Sequence, residues 1–251
     1  MKILGVIPAR YASTRFPGKP LAIINGKSMI QRVYEQASKA LTLKWVVVAT
    51  DDKRIFDHVK NFGGTVIMTS SKHPNGTLRV SEAVNKLTSK PENLEIDAVI
   101  NIQGDEPFIK PEQIDVLANT FNDNNTEIAT LCKKIEDYET LFNPNVVKVI
   151  KNKNDFAIYF SRSAIPYARE YKNQEWQKKI SYFKHLGIYG YRTEILKKIV
   201  TLKPTPLETA EKLEQLRWLE NGFKIKVVET NFETLSVDTP DDLEKIKNKN
   251  R

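Results

Sequence analysis

Residues 1–20, MKILGVIPARYASTRFPGKP, carry an apolar run at 3–7 straight into a loop punctuated by Pro8, Pro17, Gly18 and Pro20. A run that is apolar at successive positions, instead of alternate ones, belongs to a strand buried on both faces, as in a parallel sheet. The pattern recurs at 45–49, 65–68 and 98–102, and amphipathic stretches of helix length at 28–40, 53–62 and 77–87 separate the runs. Strand and helix in alternation predict an α/β fold, a doubly wound and mostly parallel central sheet with flanking helices. Sheets of this kind take ligands beyond the carboxyl ends of their strands, so the loops after Pro8 and from Gln103 are expected on one edge.

The second half is less regular. Strands are expected at 146–151, 156–160 and 186–191, with the polar stretch AREYKNQEWQKK at 168–179 between the last two. A helix is expected at 207–220 and a short strand at 225–228. A strand-like LSV at 235–237 then runs into the turn VDTPDD and a closing helix from Asp241, and only the tail KIKNKNR has the composition of a disordered end. No internal repeat or composition break divides the chain, so residues 1–251 are read as a single domain.

Composition narrows the function classes. A chain of 251 residues, 40% hydrophobic and 28% charged, can bury a large core. The single cysteine, Cys132, excludes an intrachain disulfide and a clustered thiolate metal site. No charged-then-apolar leader precedes the opening strand and no apolar run approaches about 18 residues, so a cytoplasmic protein with no membrane partner is expected. The net charge of +8 permits nucleic-acid binding. Its cations are scattered, however, with no helix-turn-helix, zinc knuckle or aromatic platform, so no nucleic-acid partner is expected.

The first loop holds Arg10, Arg15 and Lys19, and the first acidic residue of the chain is Glu35. Two guanidinium forks and a mobile ammonium suit a polyphosphate, with backbone amides near residues 12–14 as further donors. Pro17 and Pro20 stiffen the loop around Gly18. A solvated basic loop is the competing reading, disfavoured because no local acid pairs with the cations. The loop is not a Walker-type P-loop, since Lys19 is followed by proline.

A second constellation is NIQGDEPFI at 101–109. Glycine between amide and acid lets the backbone turn sharply and aims Asp105 in front of the sheet, where a hard divalent cation would sit. Magnesium is the natural choice, since it takes one or two carboxylates and completes its shell with phosphate oxygens and water. Asp238 is the best second ligand. An N-cap role competes for it, with Thr239 and Asp241 as rival caps.

Together, IPARYASTRFPGKPL (7–21), HPNGT (73–77), NIQGDEP (101–107), FNPNVVKV (142–149), YFSRSAIPY (159–167), HLGIYGYR (185–192), LEQLR (213–217) and VDTPDDL (237–243) resemble the 3-deoxy-D-manno-octulosonate (Kdo) cytidylyltransferases, in order and over essentially the whole chain. The first motif is shared more loosely with the acylneuraminate cytidylyltransferases. The resemblance implies transfer of CMP from CTP to the anomeric hydroxyl of Kdo with release of pyrophosphate, on a Rossmann-like nucleotide-diphospho-sugar transferase fold and usually in a homodimer. It makes Arg10, Arg15 and Lys19 catalytic, with Asp105 and Asp238 as ligands of magnesium. Ala9, Arg10, Ser13, Arg15, Lys19, Ser71, His73, Gly76, Thr77 and Gln103 are implied to bind the nucleotide. Gln103, Arg162, His185, Tyr189, Glu211 and Gln215 are implied to bind the sugar, and a dimerisation and sugar-binding subregion is expected around 142–192.

Alternation puts His185, Gly187, Tyr189 and Tyr191 on one strand face, and helical spacing puts Glu211 and Gln215 on one helix face. A hydrogen-bonded structural histidine and a surface ion pair are the plain alternatives for His185 and Glu211. Trp45, Trp176 and Trp218 are read as packing residues. One departure from the family pattern is Leu78, where an acid is usual after GT; it is read as a lost helix-start preference. A binding protein or glycosyltransferase on the same fold, and transfer to a related acid sugar such as sialic acid, remain as alternatives.

Overall fold

A computed structural model describes residues 1–12, 14–89, 94–233 and 235–249. The chain packs as two compact units, the first from Met1–Asn119 with the closing stretch from Glu233, the second Thr120–Phe232. The subregion around 142–192 falls within the second unit.

The first unit begins with β1 (Ile3–Ala9), buried along nearly its whole length. A hairpin of β2 (Ile23–Ile24) and β3 (Lys27–Ser28) follows, turned by Asn25 and Gly26, both at positive φ. That is the Asn-Gly pairing a two-residue hairpin requires. Helix α1 (Met29–Ala37) is capped by Ser28, whose hydroxyl accepts from Gln31 N. Then come β4 (Leu43–Thr50), α2 (Lys53–Asn61) capped by Asp52, β5 (Val66–Met68), α3 (Gly76–Thr88) capped by Asn75, β6 (Ala98–Asn101) and α4 (Pro111–Asn119). The four long-range strands run in the order β6-β1-β4-β5, every pair parallel. This is the arrangement expected from the continuous apolar runs.

The second unit contains β7 (Ile128–Ile135), α5 (Tyr138–Phe142), β8 (Lys148–Lys151), β9 (Ala157–Ser161), α6 (Trp176–Lys179), β10 (Tyr182–Arg192), α7 (Thr193–Ile199), α8 (Pro206–Glu211), α9 (Glu214–Glu220) and β11 (Ile225–Glu229). Here β7 lies between a parallel β11 and an antiparallel β10, and β8 pairs antiparallel with both β10 and β9. Two expectations are corrected in this unit. The stretch 207–220 is not one helix, because Lys212 adopts a left-handed conformation at φ 56° and ends α8 before α9 begins. The register of β10 also shifts between Leu186 and Tyr189, which interrupts the simple alternation from His185 to Tyr189.

Back in the first unit, residues 235–237 form no strand, and α10 (Pro240–Lys249) closes the chain, so the expected disordered tail is helical through Lys249. Trp176 and Trp218 are buried as packing residues, Trp218 between the edges of Tyr189 and Tyr191. Trp45 is half-buried under the Lys44 ammonium.

Candidate active site

The chain leaves β1 at Ala9 and enters a loop closed by its own backbone. Gly18 N donates to Tyr11 O at 2.9 Å, and Lys19 N to Phe16 O at 3.2 Å. Gly18 sits at φ 72°, a region costly for any side chain, and a Cβ there would press on the Tyr11 ring. Lys19 therefore starts a short 3-10 turn with the buried Pro20 behind it.

The opposite wall follows β6. At Gly104 an added Cβ would lie 2.8 Å from the Pro8 carbonyl oxygen, so only glycine lets this turn pass so close to the end of β1. The next residue, Asp105, is fixed through its own carbonyl, which accepts from Val237 N at 2.9 Å. Val237 packs with Ile24, Met29 and Leu243, and Phe16 and Phe108 lie against the same cluster. One apolar plug thus holds the cation loop, the acidic turn and the closing stretch in register.

The capping question at the last motif is resolved by the side chains. Thr239 and Asp242 cap reciprocally: Thr239 N donates to Asp242 Oδ2 at 3.0 Å and Asp242 N to Thr239 Oγ1 at 3.3 Å. Asp238 is thereby left to face the cations. Lys19 Nζ reaches Asp105 Oδ2 at 2.7 Å and Asp238 Oδ1 at 3.4 Å, and Arg15 meets Asp238 Oδ1 at 3.2 Å. The acids that partner these cations come from far along the chain.

These residues line a cleft of about 440 Å³. Of the residues expected to bind nucleotide, Ala9, Arg10, Arg15, Lys19, His73, Gly76 and Gln103 line it, as do Asp105 and Asp238. Thr77 is buried at the start of α3, Ser71 is exposed outside the lining, and Ser13 lies outside the described residues. Leu78 takes the third position of α3, donating its N–H to Asn75 Oδ1 at 3.0 Å in a first turn that has no acid.

Two residues of this wall went unread in the sequence. Arg79 lines the cleft although only 4% exposed, donating to Thr69 Oγ1 at 2.6 Å and pairing with Asp51 at 3.1 Å. Its one legible signal is a guanidinium set among the buried residues of an amphipathic helix. Glu82 contacts His73 Nε2 and takes the Ser70 amide at 2.8 Å and Lys86 Nζ at 2.9 Å. Burial pushes its carboxyl up, but these donors outweigh burial and bring it down to about 2.

The donor set suits a divalent cation. Two carboxylates converge on one ammonium, which marks a point where positive charge is stabilised from both sides. Among the described residues no group of three or more His, Cys, Asp or Glu forms a cage. A cation held here needs further oxygens from a substrate, the usual habit of magnesium.

The remaining sugar-side candidates lie in the second unit. Glu211 accepts from Ser161 Oγ at 2.6 Å and Arg162 N at 2.9 Å. The Arg162 guanidinium is held by main-chain carbonyls, Nε on Glu211 O at 2.8 Å and one terminal nitrogen on Pro144 O at 3.1 Å. Beneath it the fully buried Lys148 donates to the carbonyls of Asn143, Val146 and Arg162. His185 lies 3.0 Å from Thr130 Oγ1, edge-on to Phe160, and burial pushes its imidazole down to about 3. Tyr189 packs against His185 and Trp218. Gln215 is buried in α9, separated from Glu211 by the break at Lys212, so the two share no continuous helix face.

Residues 4–226 match the cytidylyltransferase family. The chain is 56% identical to the 3-deoxy-manno-octulosonate cytidylyltransferase of Parabacteroides distasonis over 98% of its own length and 96% of the relative's. It is 54% identical to the enzyme of the same name from Cytophaga hutchinsonii, over 97% and 95%. Among solved structures it is similar to CMP:2-keto-3-deoxy-manno-octonic acid synthetase complexed with CTP, at a TM-score of 0.90 and 43% identity, covering 99% of this chain and 98% of that one. A 4-diphosphocytidyl-2C-methyl-D-erythritol synthase from Anaerococcus prevotii, 12% identical at a TM-score of 0.62, shares the fold. On these matches the chain belongs to the cytidylyltransferase family and, within it, to the 3-deoxy-manno-octulosonate cytidylyltransferases.

Proposed function

We propose that this protein transfers CMP from CTP to the anomeric hydroxyl of Kdo, releasing pyrophosphate, as a cytoplasmic step of lipopolysaccharide biosynthesis. The observation that carries the reading is the Lys19 ammonium seated between Asp105 and Asp238 in a cleft that Arg10 and Arg15 also line.

An entering triphosphate offers Arg15 and Lys19 stronger anionic partners than the carboxylates they hold in its absence. Lys19, only 15% exposed, then faces the α-phosphate with little water to screen it, where charge develops during in-line attack. Arg10 and Arg15, nearer solvent, hold the outer phosphates. Asp105 and Asp238, freed of the ammonium, hold magnesium, which when bound neutralises phosphate charge and makes the α-phosphorus more electrophilic. The anomeric oxygen bonds to that phosphorus as its bond to pyrophosphate breaks, and the hydroxyl proton is released.

In the second unit, Arg162, His185, Tyr189, Glu211 and Gln215 are assigned to the acid sugar. We assign the homodimer contact to residues 142–171, which include Ile158 and Tyr167, both exposed. The discriminating experiment offers CTP and magnesium with Kdo, sialic acid or an amino-substituted Kdo, and follows pyrophosphate and the CMP-sugar. Kdo is expected to be consumed preferentially, with activity lost on chelation and restored by magnesium. Preference for sialic acid, or turnover indifferent to chelation, would refute the reading.

A further inference from the structure

Cations and metal acids occupy one side of the cleft, so the wall from His73 to Arg79 is left for the nucleoside. On that wall His73 is held from behind. Its Nε2 meets Glu82 Oε2, and the same carboxylate is fixed by the Ser70 amide at 2.8 Å and by Lys86 Nζ at 2.9 Å, so three donors converge on one acid at the flank of α3. A carboxylate in this setting is ionised and only accepts hydrogen bonds. Nε2 must then carry the proton, and a neutral imidazole protonated there presents Nδ1 as an acceptor.

We propose that Glu82 is a positioning residue that fixes His73 in the Nε2–H tautomer, so that Nδ1 accepts from the 4-amino group of cytosine and CTP is selected over UTP. The inference rests on reading the cleft as a CTP site. Uracil places a carbonyl oxygen where cytosine places its amino group, and would set a lone pair against a lone pair. Arg79 complements the acceptor, because its guanidinium is buried on the same wall and held by Thr69 and Asp51, a fixed donor for a base carbonyl. A site built around such a donor and acceptor rejects the mismatched analogue because its own buried polar groups are left unpaired.

Two measurements test this. Nitrogen-15 NMR of the wild-type protein should find the His73 ring protonated at Nε2 alone; an Nδ1–H ring, a doubly protonated ring or an averaged mixture overturns the proposal. Calorimetric titration with CTP and with UTP, in magnesium, should show the preference for CTP falling about tenfold or more in Glu82→Gln, whose amide can donate to Nε2 and release the other tautomer. An unchanged preference in a folded variant that still binds CTP sinks the tautomer assignment and leaves the cleft reading standing. A wild-type protein that binds neither nucleotide sinks both. Should Glu82→Gln fail to fold, the wild-type NMR result decides alone.

Discussion

The ammonium of Lys19 is held by two carboxylates that lie 86 and 219 residues further along the chain. The cation loop was legible because its residues are contiguous and free of local acids. Asp105 and Asp238 were legible as acids that follow apolar, strand-like runs, but no spacing rule brings them to the same atom; the apolar plug around Val237 does so. Arg79 and Glu82 stayed hidden because each acts through partners on other elements or a further turn away. A different residue gives the pH dependence of stability. His185 titrates near 6.5 when unfolded and near 3 when folded, so its contribution is full above 6.5 and is lost as pH falls toward 3. Between about pH 7.5 and about pH 5, the melting temperature of wild type should therefore fall more than that of His185→Gln. Parallel losses in the two proteins would contradict the buried neutral imidazole.

The longer elements of the first hundred residues were read to within a few residues, because continuous apolar runs admit one interpretation once helices of matching length separate them. The hairpin at Asn25 and Gly26 carried a turn signal and passed unread; α4, α5, α6, α7 and β7 also went unread. The break between α8 and α9 carried none. Both helices keep apolar residues at compatible spacing, and lysine gives no hint of a left-handed backbone. That backbone costs an L-residue roughly 1–2 kcal/mol, whereas glycine escapes the cost and loses part of the gain to its freer unfolded chain. Lys212→Gly should thus raise stability by about 0.5–1 kcal/mol in a denaturant titration. A loss of stability would mean that the Lys212 side chain, not its backbone, holds the junction.

At the scale of the whole molecule, the mostly parallel α/β class followed from the first hundred residues alone. The two compact units did not, because composition changes little at residues 119 and 233 and the first unit is completed only when the chain returns to it. Division of labour between them follows from chemistry. Arg10, Arg15, Lys19, Asp105 and Asp238 sit in the first, while the half-buried network around Arg162, Glu211 and His185 sits in the second. The central claim is that Lys19, poised between two acids, stabilises the charge that develops on the α-phosphate. It is tested most directly by pyrophosphate release from CTP, magnesium and Kdo, with wild type and Lys19→Ala compared at saturating substrates. Wild type should turn over, and the variant should be slower by roughly two orders of magnitude or more at little cost in stability. Turnover in Lys19→Ala within a few fold of wild type would contradict the account.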